Sequence, residues 1–282
     1  MKNNKIILGT TQFGIHYGVS NRIGATSSEN INKILKLSRL KKIQCIYTSN
    51  YYGKANKVLG KKNIKKFNII IKFKEDDFIN KDILIEIKKS EKLLKANIRT
   101  IIVDKFESIQ IKKAKKIYTS LKNLKKNKII QHFGYAIYSF KNLKKICKNF
   151  KPDIIQSPYN IIDRRIEKKK YLNFLQKKNI EIHVRSIFLQ GLLLMDFKKI
   201  PKKFNKWSGL FKNWDYWLKK ENQKALDVCY SFVSKNKFIN KILIGVNDFS
   251  QFKEIVKIKV RKNLNYPNIS STSQKLINPI NW

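Results

Sequence analysis

The sequence predicts an α/β fold, a single-domain (β/α)8 TIM barrel, from three observations. Its 282 residues exceed the roughly 250 that one such barrel needs. Eight short runs rich in Ile and other β-formers alternate with longer, Lys-rich stretches of helical period. The short runs are almost continuously apolar, as parallel strands covered on both faces require. An open doubly wound sheet is the alternative for such an alternation, but no GxGxxG follows an early strand.

The elements follow in order. Ile6–Leu8 is the first strand. A helix over Ser28–Leu40, with Ser28 as N-cap ahead of Asn30-Ile31, leads to the second strand, Ile43–Tyr47. Phe67–Lys72 is the third. Asp82–Lys95 then sets Ile83, Ile87 and Leu94 at helical spacing before the fourth strand, Ile98–Val103. Lys112–Lys126 repeats that pattern with Ala114, Ile117, Leu121 and Leu124. The fifth strand covers Ile129–Ile137, and a helix runs from Ser139 to Cys147. Asp153–Gln156, Ile180–Val184 and Lys241–Ile244 complete the set. Between the last two, the aromatic-rich stretch 196–217 reads as a loop insertion or an extra helix. Its Trp207, Trp214 and Trp217 are expected to pack rather than to line a pocket. From about residue 263 an Asn/Ser/Pro-rich tail, ending in Pro279-Ile280-Asn281-Trp282, is expected to pack over the barrel. No internal repeat or domain boundary interrupts residues 1–282.

The charge is extreme: 62 Lys+Arg against 19 Asp+Glu, a net +43. A disordered polybasic segment is excluded, because 42% of the residues are hydrophobic and can bury a core. The cations are 55 Lys and seven Arg spread along the whole chain, while Ala occurs only six times. Lys, Asn and Ile have AT-rich codons, and Ala, Arg and Gly have GC-rich ones. The excess is therefore read as the bias of an AT-rich genome, with Lys on solvated helix faces, in preference to a nucleic-acid-binding stripe. No apolar run approaches the roughly 18 to 20 residues of a membrane span. Met1–Lys5 leads into only Ile6-Ile7-Leu8, too short for the apolar core of a signal peptide. Cys45, Cys147 and Cys229 are far apart, odd in number and without metal-site spacing. A cytoplasmic, reduced, metal-free protein without a membrane partner is expected.

A barrel of this kind carries its site at the C-terminal ends of the strands. Those ends are Leu8–Gly14, Tyr47-Thr48-Ser49 with Tyr51-Tyr52-Gly53, Lys72, Asp104, Gln156–Asn160, Arg185-Ser186 with Gln190-Gly191, and Gly245-Val246-Asn247. Lys72 closes the apolar run Ile69-Ile70-Ile71, which puts its stem in the barrel mouth. The ordinary alternative is a Lys that snorkels at a strand end. The chemical reading is a cation beside a phenol. A free Tyr titrates near about 10 and needs such help to act as an acid–base group at neutral pH. Tyr52, just before Gly53, is placed to be that phenol.

At this point the chain resembles the aldo/keto reductase superfamily. The resemblance rests on Leu8-Gly9-Thr10-Thr11-Gln12-Phe13-Gly14 with Tyr17-Gly18, on Ile46 to Gly53 with Leu59-Gly60, and on Lys72. It continues through Gln156 to Asn160 with Asp163-Arg164-Arg165, His183 to Ser186 with Gln190 to Leu193, and Ile244-Gly245-Val246. The later motifs resemble a branch found among bacterial surface-polysaccharide and sugar-modification genes. The resemblance implies NADP-dependent reduction of a small carbonyl or sugar-type substrate, with NAD as the alternative cofactor and no metal. The family uses an Asp, a Tyr, a Lys and a His. Tyr protonates the carbonyl oxygen while hydride comes from the nicotinamide. Lys lowers the pKa of the phenol, Asp pairs with Lys, and His orients the carbonyl.

Tyr52 and Lys72 match these roles. Tyr47 stands at the Asp position, and Asp104 at the His position; His16 and His132 sit in other segments. On the cofactor side, Ala136 replaces a Ser that in many members bonds the nicotinamide amide, and Gln156 remains as an amide partner. The resemblance sets Ser186, Gln190, Gly191, Gly245 and Asn247 along the cofactor and Glu254 at the adenine. Asn247-Asp248 stand where many members carry a basic residue for the 2′-phosphate, which weakens the case for NADP over NAD.

With the tetrad half altered, the first reading is a rearranged but active reductase. Asp104, on the strand beside that of Lys72, supplies the missing carboxylate, and the two charged groups then lie within about 4 Å of one another. The second reading is a catalytically impaired or non-catalytic reductase-fold binding protein, since an acid–base His is worth about 10²- to 10⁴-fold in rate. A charge-driven nucleic-acid binder, whose affinity falls steeply with salt, ranks last.

Overall fold

The computed structural model describes residues 5–261 and 264–282. The leader reading at residues 1–4 and the start of the tail at 263 lie outside the described residues. Eight parallel strands close into a barrel in sequence order. They are β1 (Ile6–Gly9), β2 (Cys45–Ser49), β3 (Asn68–Phe73), β4 (Ile98–Val103), β5 (His132–Ala136), β6 (Ile154–Pro158), β7 (Glu181–Arg185) and β8 (Lys241–Gly245). The β1–β8 pairing, with Leu8 opposite Ile244, closes the ring.

Several element ends differ from the sequence reading. The helix Ser28–Leu40 is capped by Ser27, not Ser28: Ser27 is extended, and its Oγ accepts from Asn30 N at 3.2 Å. The strand expected from Ile129 starts only at His132, because Lys128 takes a left-handed φ of 57° and turns the chain out of the preceding helix. The helix expected from Ser139 starts at Leu143, and Ser139 instead caps a turn by accepting from Lys141 N. The helices Ile83–Leu94 and Ile111–Lys126 bury Ile83, Ile87, Leu94 and Ala114, Ile117, Leu121, Leu124 against the strands, as their 3.6-residue spacing dictates.

Alternation along each strand decides which side chains enter the barrel. Ile69 and Ile71 face the helices with the main core, while Ile70 joins Ile7, Tyr47, Ile102, Ala136 and Ile154 in a separate cluster that plugs the interior. Two residues further along the same inward face come Lys72, Asp104 and Gln156, and these line the cavity above the plug. A period of two thus carries each strand from an apolar floor to a polar mouth.

The stretch 196–217 runs through two short 3₁₀ segments, Phe197–Lys199 and Lys202–Trp207, into an extra helix, Ser208–Lys220. Trp214 is buried, stacks on Trp217 and donates its indole N–H to the Leu193 carbonyl at 3.0 Å. None of Trp207, Trp214 and Trp217 lines the cavity. The tail is tied to the loop after β6 by Ser271 N to Ile162 O and by Arg164 Nη2 to Pro267 O. Its terminal Trp282 packs edge-on against Phe204 of the extra segment, not on the strands.

The loops after β1 and β2 touch backbone to backbone. A Cβ on Gly14 would stand 1.8 Å from the Tyr52 carbonyl oxygen, and Gly53 takes a φ of 54° beside Gly14 O. Only glycine allows this approach, which fixes where the second loop lies over the barrel. Gly14→Ala is expected to cost about 1–3 kcal/mol by forcing the loops apart, read as a lower midpoint in urea unfolding at unchanged slope.

Candidate active site

The motif Thr48 to Gly53 folds into a hydrogen-bonded turn whose purpose is visible in its bonds. Thr48 Oγ1 reaches Asn56 Oδ1 at 2.6 Å, and Asn56 Nδ2 donates to Asn50 Oδ1 at 2.8 Å. Ser49 Oγ donates to the carbonyl of Lys72 at 2.8 Å, tying the turn to β3 beside it. Tyr52 N closes the turn on Ser49 O, and Ala55 N then bonds Tyr52 O as the next helix begins. The two tyrosines of the turn diverge. Tyr51 donates its hydroxyl to buried Asp77 at 2.9 Å, and burial together with that carboxylate pushes its pKa up to about 12. Tyr52 instead lines the cavity, with Lys72 Nζ 5.6 Å from the centroid of its ring.

Lys72 Nζ lies 2.9 Å from Asp104 Oδ2, and the side chains are only 15% and 10% exposed. The carboxylate expected to relocate from β2 to β4 is within ion-pair reach. Burial opposes the charge on Lys72, but Tyr52 and Asp104 outweigh it, and its pKa stands above the ordinary lysine value. Tyr47, at the family's Asp position, points into the barrel and donates its hydroxyl to Gln156 Oε1 at 3.1 Å. Burial holds its phenol pKa well above 10, so Tyr47 is a neutral donor and takes no share of the counter-charge.

Two residues at the mouth had no assigned role in the sequence reading. Tyr138, just beyond β5, points its hydroxyl at Asp104 Oδ1, 3.4 Å away. Its backbone is held at both ends: its N–H donates to Glu107 Oε1, and Arg165 Nη1 donates to its carbonyl at 2.8 Å. Arg165 is itself set by a two-bond pair with buried Asp163. Arg185, at the end of β7, lies over the Tyr138 ring with its guanidinium carbon 4.0 Å from the centroid. Its strand-end position was the signal available in the sequence; Tyr138 gave none, being one of twelve tyrosines.

Tyr47, Tyr52, Lys72, Asp104, Gln156, Ser186, Gln190, Gly191, Gly245, Asn247 and Glu254 all line one cavity of about 920 Å³. Its size and mixed lining suit a sizeable ligand. Several features fit a nicotinamide dinucleotide. Gln156 Nε2 is buried without a partner, because Tyr47 occupies only the oxygen of that amide, so a donor is left for a ligand carbonyl. Gln12 Oε1 is a buried acceptor in the same state. Gly245 keeps the wall open beside it; a Cβ there would lie 2.6 Å from Gln12 Oε1. The loop after β7 holds Ser186, Leu189 and Gln190 at φ of 59°, 48° and 55°, conformations that non-glycine residues adopt at a cost and that cluster at ligand clamps. Asn160 Nδ2 braces it by donating to Ser186 O at 3.0 Å. Asp248 is spent on the fold: its carboxylate caps the last helix of the barrel by accepting from Gln251 N. Among the described residues no cluster of three or more His, Cys, Asp or Glu is arranged to hold a metal, and no helix is long and apolar enough to cross a membrane.

A model of the aldo/keto reductase family matches residues 5–271. No curated protein sequence matches the chain. Among solved structures, a putative aldo-keto reductase from Pseudomonas aeruginosa superposes with a TM-score of 0.66 at 16% identity, covering 91% of this chain and 89% of its own. A glycerol dehydrogenase from Gluconobacter oxydans gives 0.66 at 17%, covering 90% and 86%. An aldo-keto reductase from Bacillus halodurans in its holo form gives 0.69 at 15%, covering 94% and 89%. At these identities the structural likeness is one of fold.

The Lys72–Asp104 pair is sheltered enough for its loss to register in stability. Asp104→Asn leaves a buried cation unpaired and is expected to cost about 3–5 kcal/mol, much of it regained when Lys72→Met is combined with Asp104→Leu. The pH sign follows from the raised lysine value. The pair's contribution is complete below the ordinary 10.5 and is lost only as pH rises through the higher folded value. Urea unfolding of the wild type and the variants at pH 7 reads the first effect, and the series from pH 7 to pH 11 reads the second as a wild-type advantage that holds level until the ordinary lysine value is passed and only then begins to fall.

Proposed function

The chain belongs to the aldo/keto reductase family, and from that premise we propose that it reduces a small carbonyl or sugar-type substrate, with Tyr52 as proton donor and Lys72 and Asp104 as its electrostatic support. The observation that supports this most is the Lys72–Asp104 pair, whose ammonium lies 5.6 Å from the centre of the Tyr52 ring, because it meets the requirement that the altered tetrad left open: a cation kept charged next to a phenol. A reduced nicotinamide dinucleotide, NADP with NAD as the alternative, supplies the hydride when bound. Gln156, Ser186, Gln190, Gly191, Gly245, Asn247 and Glu254 are the residues that would hold it.

The protein's own part is proton chemistry and positioning. Tyr52 gives its hydroxyl proton to the carbonyl oxygen as negative charge grows there. The phenolate left behind is stabilised by the Lys72 ammonium, and Asp104 keeps that ammonium charged and aimed. Tyr51 is unsuited to the acid's role, since its proton is already committed to Asp77. Protein made and kept in a reducing cytoplasm agrees with three free cysteines, of which Cys147 and Cys229 are buried.

Tyr52→Phe is expected to lower carbonyl reduction at least about 10²-fold while NADPH binding, followed by fluorescence quenching or calorimetry, changes little. Titration of the wild type with NADPH and NADH settles the cofactor. Failure of both to bind at millimolar concentration rules out the reductase reading and leaves a binding protein on a reductase fold.

A further inference from the structure

At the strand ends the cavity is lined by two cations, Lys72 and Arg185, and one carboxylate, Asp104; Lys224 and Glu254, from the loops and helix beyond, also line it. Asp104 is fully committed: Oδ2 to Lys72 at 2.9 Å and Oδ1 to the Tyr138 hydroxyl at 3.4 Å. Arg185 shares the cavity wall with them. Among the described residues it makes one hydrogen bond, Nη2 to the Ile137 carbonyl at 3.2 Å, and no ion pair. A guanidinium carries five N–H donors in a planar fork, so most of its donor capacity is unused by the protein. Its guanidinium carbon lies 4.0 Å from the centre of the Tyr138 ring, and the backbone of Tyr138 is held by Glu107 and Arg165. Arg185 is thus a held cation without an ion pair of its own, on the wall of the cavity that Tyr52 also lines.

We propose that Arg185 binds a carboxylate of the substrate, so that the preferred substrates are small carbonyl compounds bearing an acid group, with the carbonyl at Tyr52 and the acid at Arg185. The reductase reading above supplies the word substrate; the anion site itself stands on the charge balance. A planar, two-oxygen anion matches the fork, and it would pair the one strand-end cation that meets no carboxylate among the described residues. Lys72 does not compete for the anion, because Asp104 already neutralises it.

The test uses succinate and the uncharged butane-1,4-diol as calorimetric probes on the intact protein, with and without NADPH. It adds turnover of succinic semialdehyde against butanal. Succinate is expected to bind and the diol not. Arg185→Met should weaken succinate about 10- to 100-fold and raise KM for the semialdehyde by a similar factor, with KM for butanal and the NADPH affinity within about threefold of wild type. Arg185→Lys, which keeps the charge without the fork, should fall between, and it serves as the informative variant if Arg185→Met does not fold. Lys116→Met, an exposed charge on the helix Ile111–Lys126, controls for bulk attraction and should change nothing.

Equal loss of succinate binding in Lys116→Met, no loss in either Arg185 variant, or a loss of NADPH affinity as large as that of succinate overturns the proposal. In the last case Arg185 serves the cofactor. Succinate binding through Arg185 with no turnover of any carbonyl leaves the anion site standing and removes the reductase reading.

Discussion

A closed parallel barrel has room inside for only every second side chain of each strand, and here that limited space is divided sharply in two. The lower layer is apolar, with Ile7, Ile70, Ile102 and Ile154 around the ring of Tyr47. One step of two residues higher, the same strands deliver Lys72, Asp104 and Gln156. Every charged group at the mouth therefore rests on a dry floor, where charges must be balanced by neighbours rather than by water. The Lys72–Asp104 pair is the consequence. The barrel makes β3 and β4 adjacent, and their register sets Lys72 beside Ile102, two residues before Asp104.

That constraint explains why Asp104 lies where it does. What a lysine in this position requires is a carboxylate on its inward side, not a carboxylate on a particular strand. With Tyr47 on β2 too large and too apolar in its setting to carry charge, an acid on β4 answers the same electrostatic demand from the other side. The tyrosine in turn gains a use, because its hydroxyl fixes the oxygen of Gln156 and leaves the nitrogen of that amide open to the cavity. With the acid on β4, the polar groups that the fold brings beside it are Tyr138, whose hydroxyl faces Asp104, and Arg185, which lies over the Tyr138 ring.

Around the mouth, loops that look unrelated in sequence act as a single brace. Gly14 and Gly53 press the first two loops together, Ser49 ties the second to β3, and Asp77 receives Tyr51. On the far side Asp163 sets Arg165, Arg165 sets Tyr138, and Asn160 sets Ser186. Side chains held in this way need no reordering when a ligand arrives.

The sequence by itself determined the barrel, since strand and helix periods are local and eight of them in order leave few topologies open. It also determined that Lys72 enters the mouth, from the apolar run it ends, and that Tyr52 stands on the loop after β2. Where it erred, at Ser28, Ser139 and Ile129, the outcome hung on the backbone angles of one or two residues, which residue types bias but do not fix. The Lys72–Asp104 pair, 32 positions apart, was expected from the adjacency of β3 and β4, but the tertiary structure alone decided the other relations across strands: Tyr138 meets Asp104 over 34 positions, and Tyr47 meets Gln156 over 109. Such pairs leave no periodic trace in the chain, because register and closure of the barrel, not spacing along the sequence, bring their atoms together.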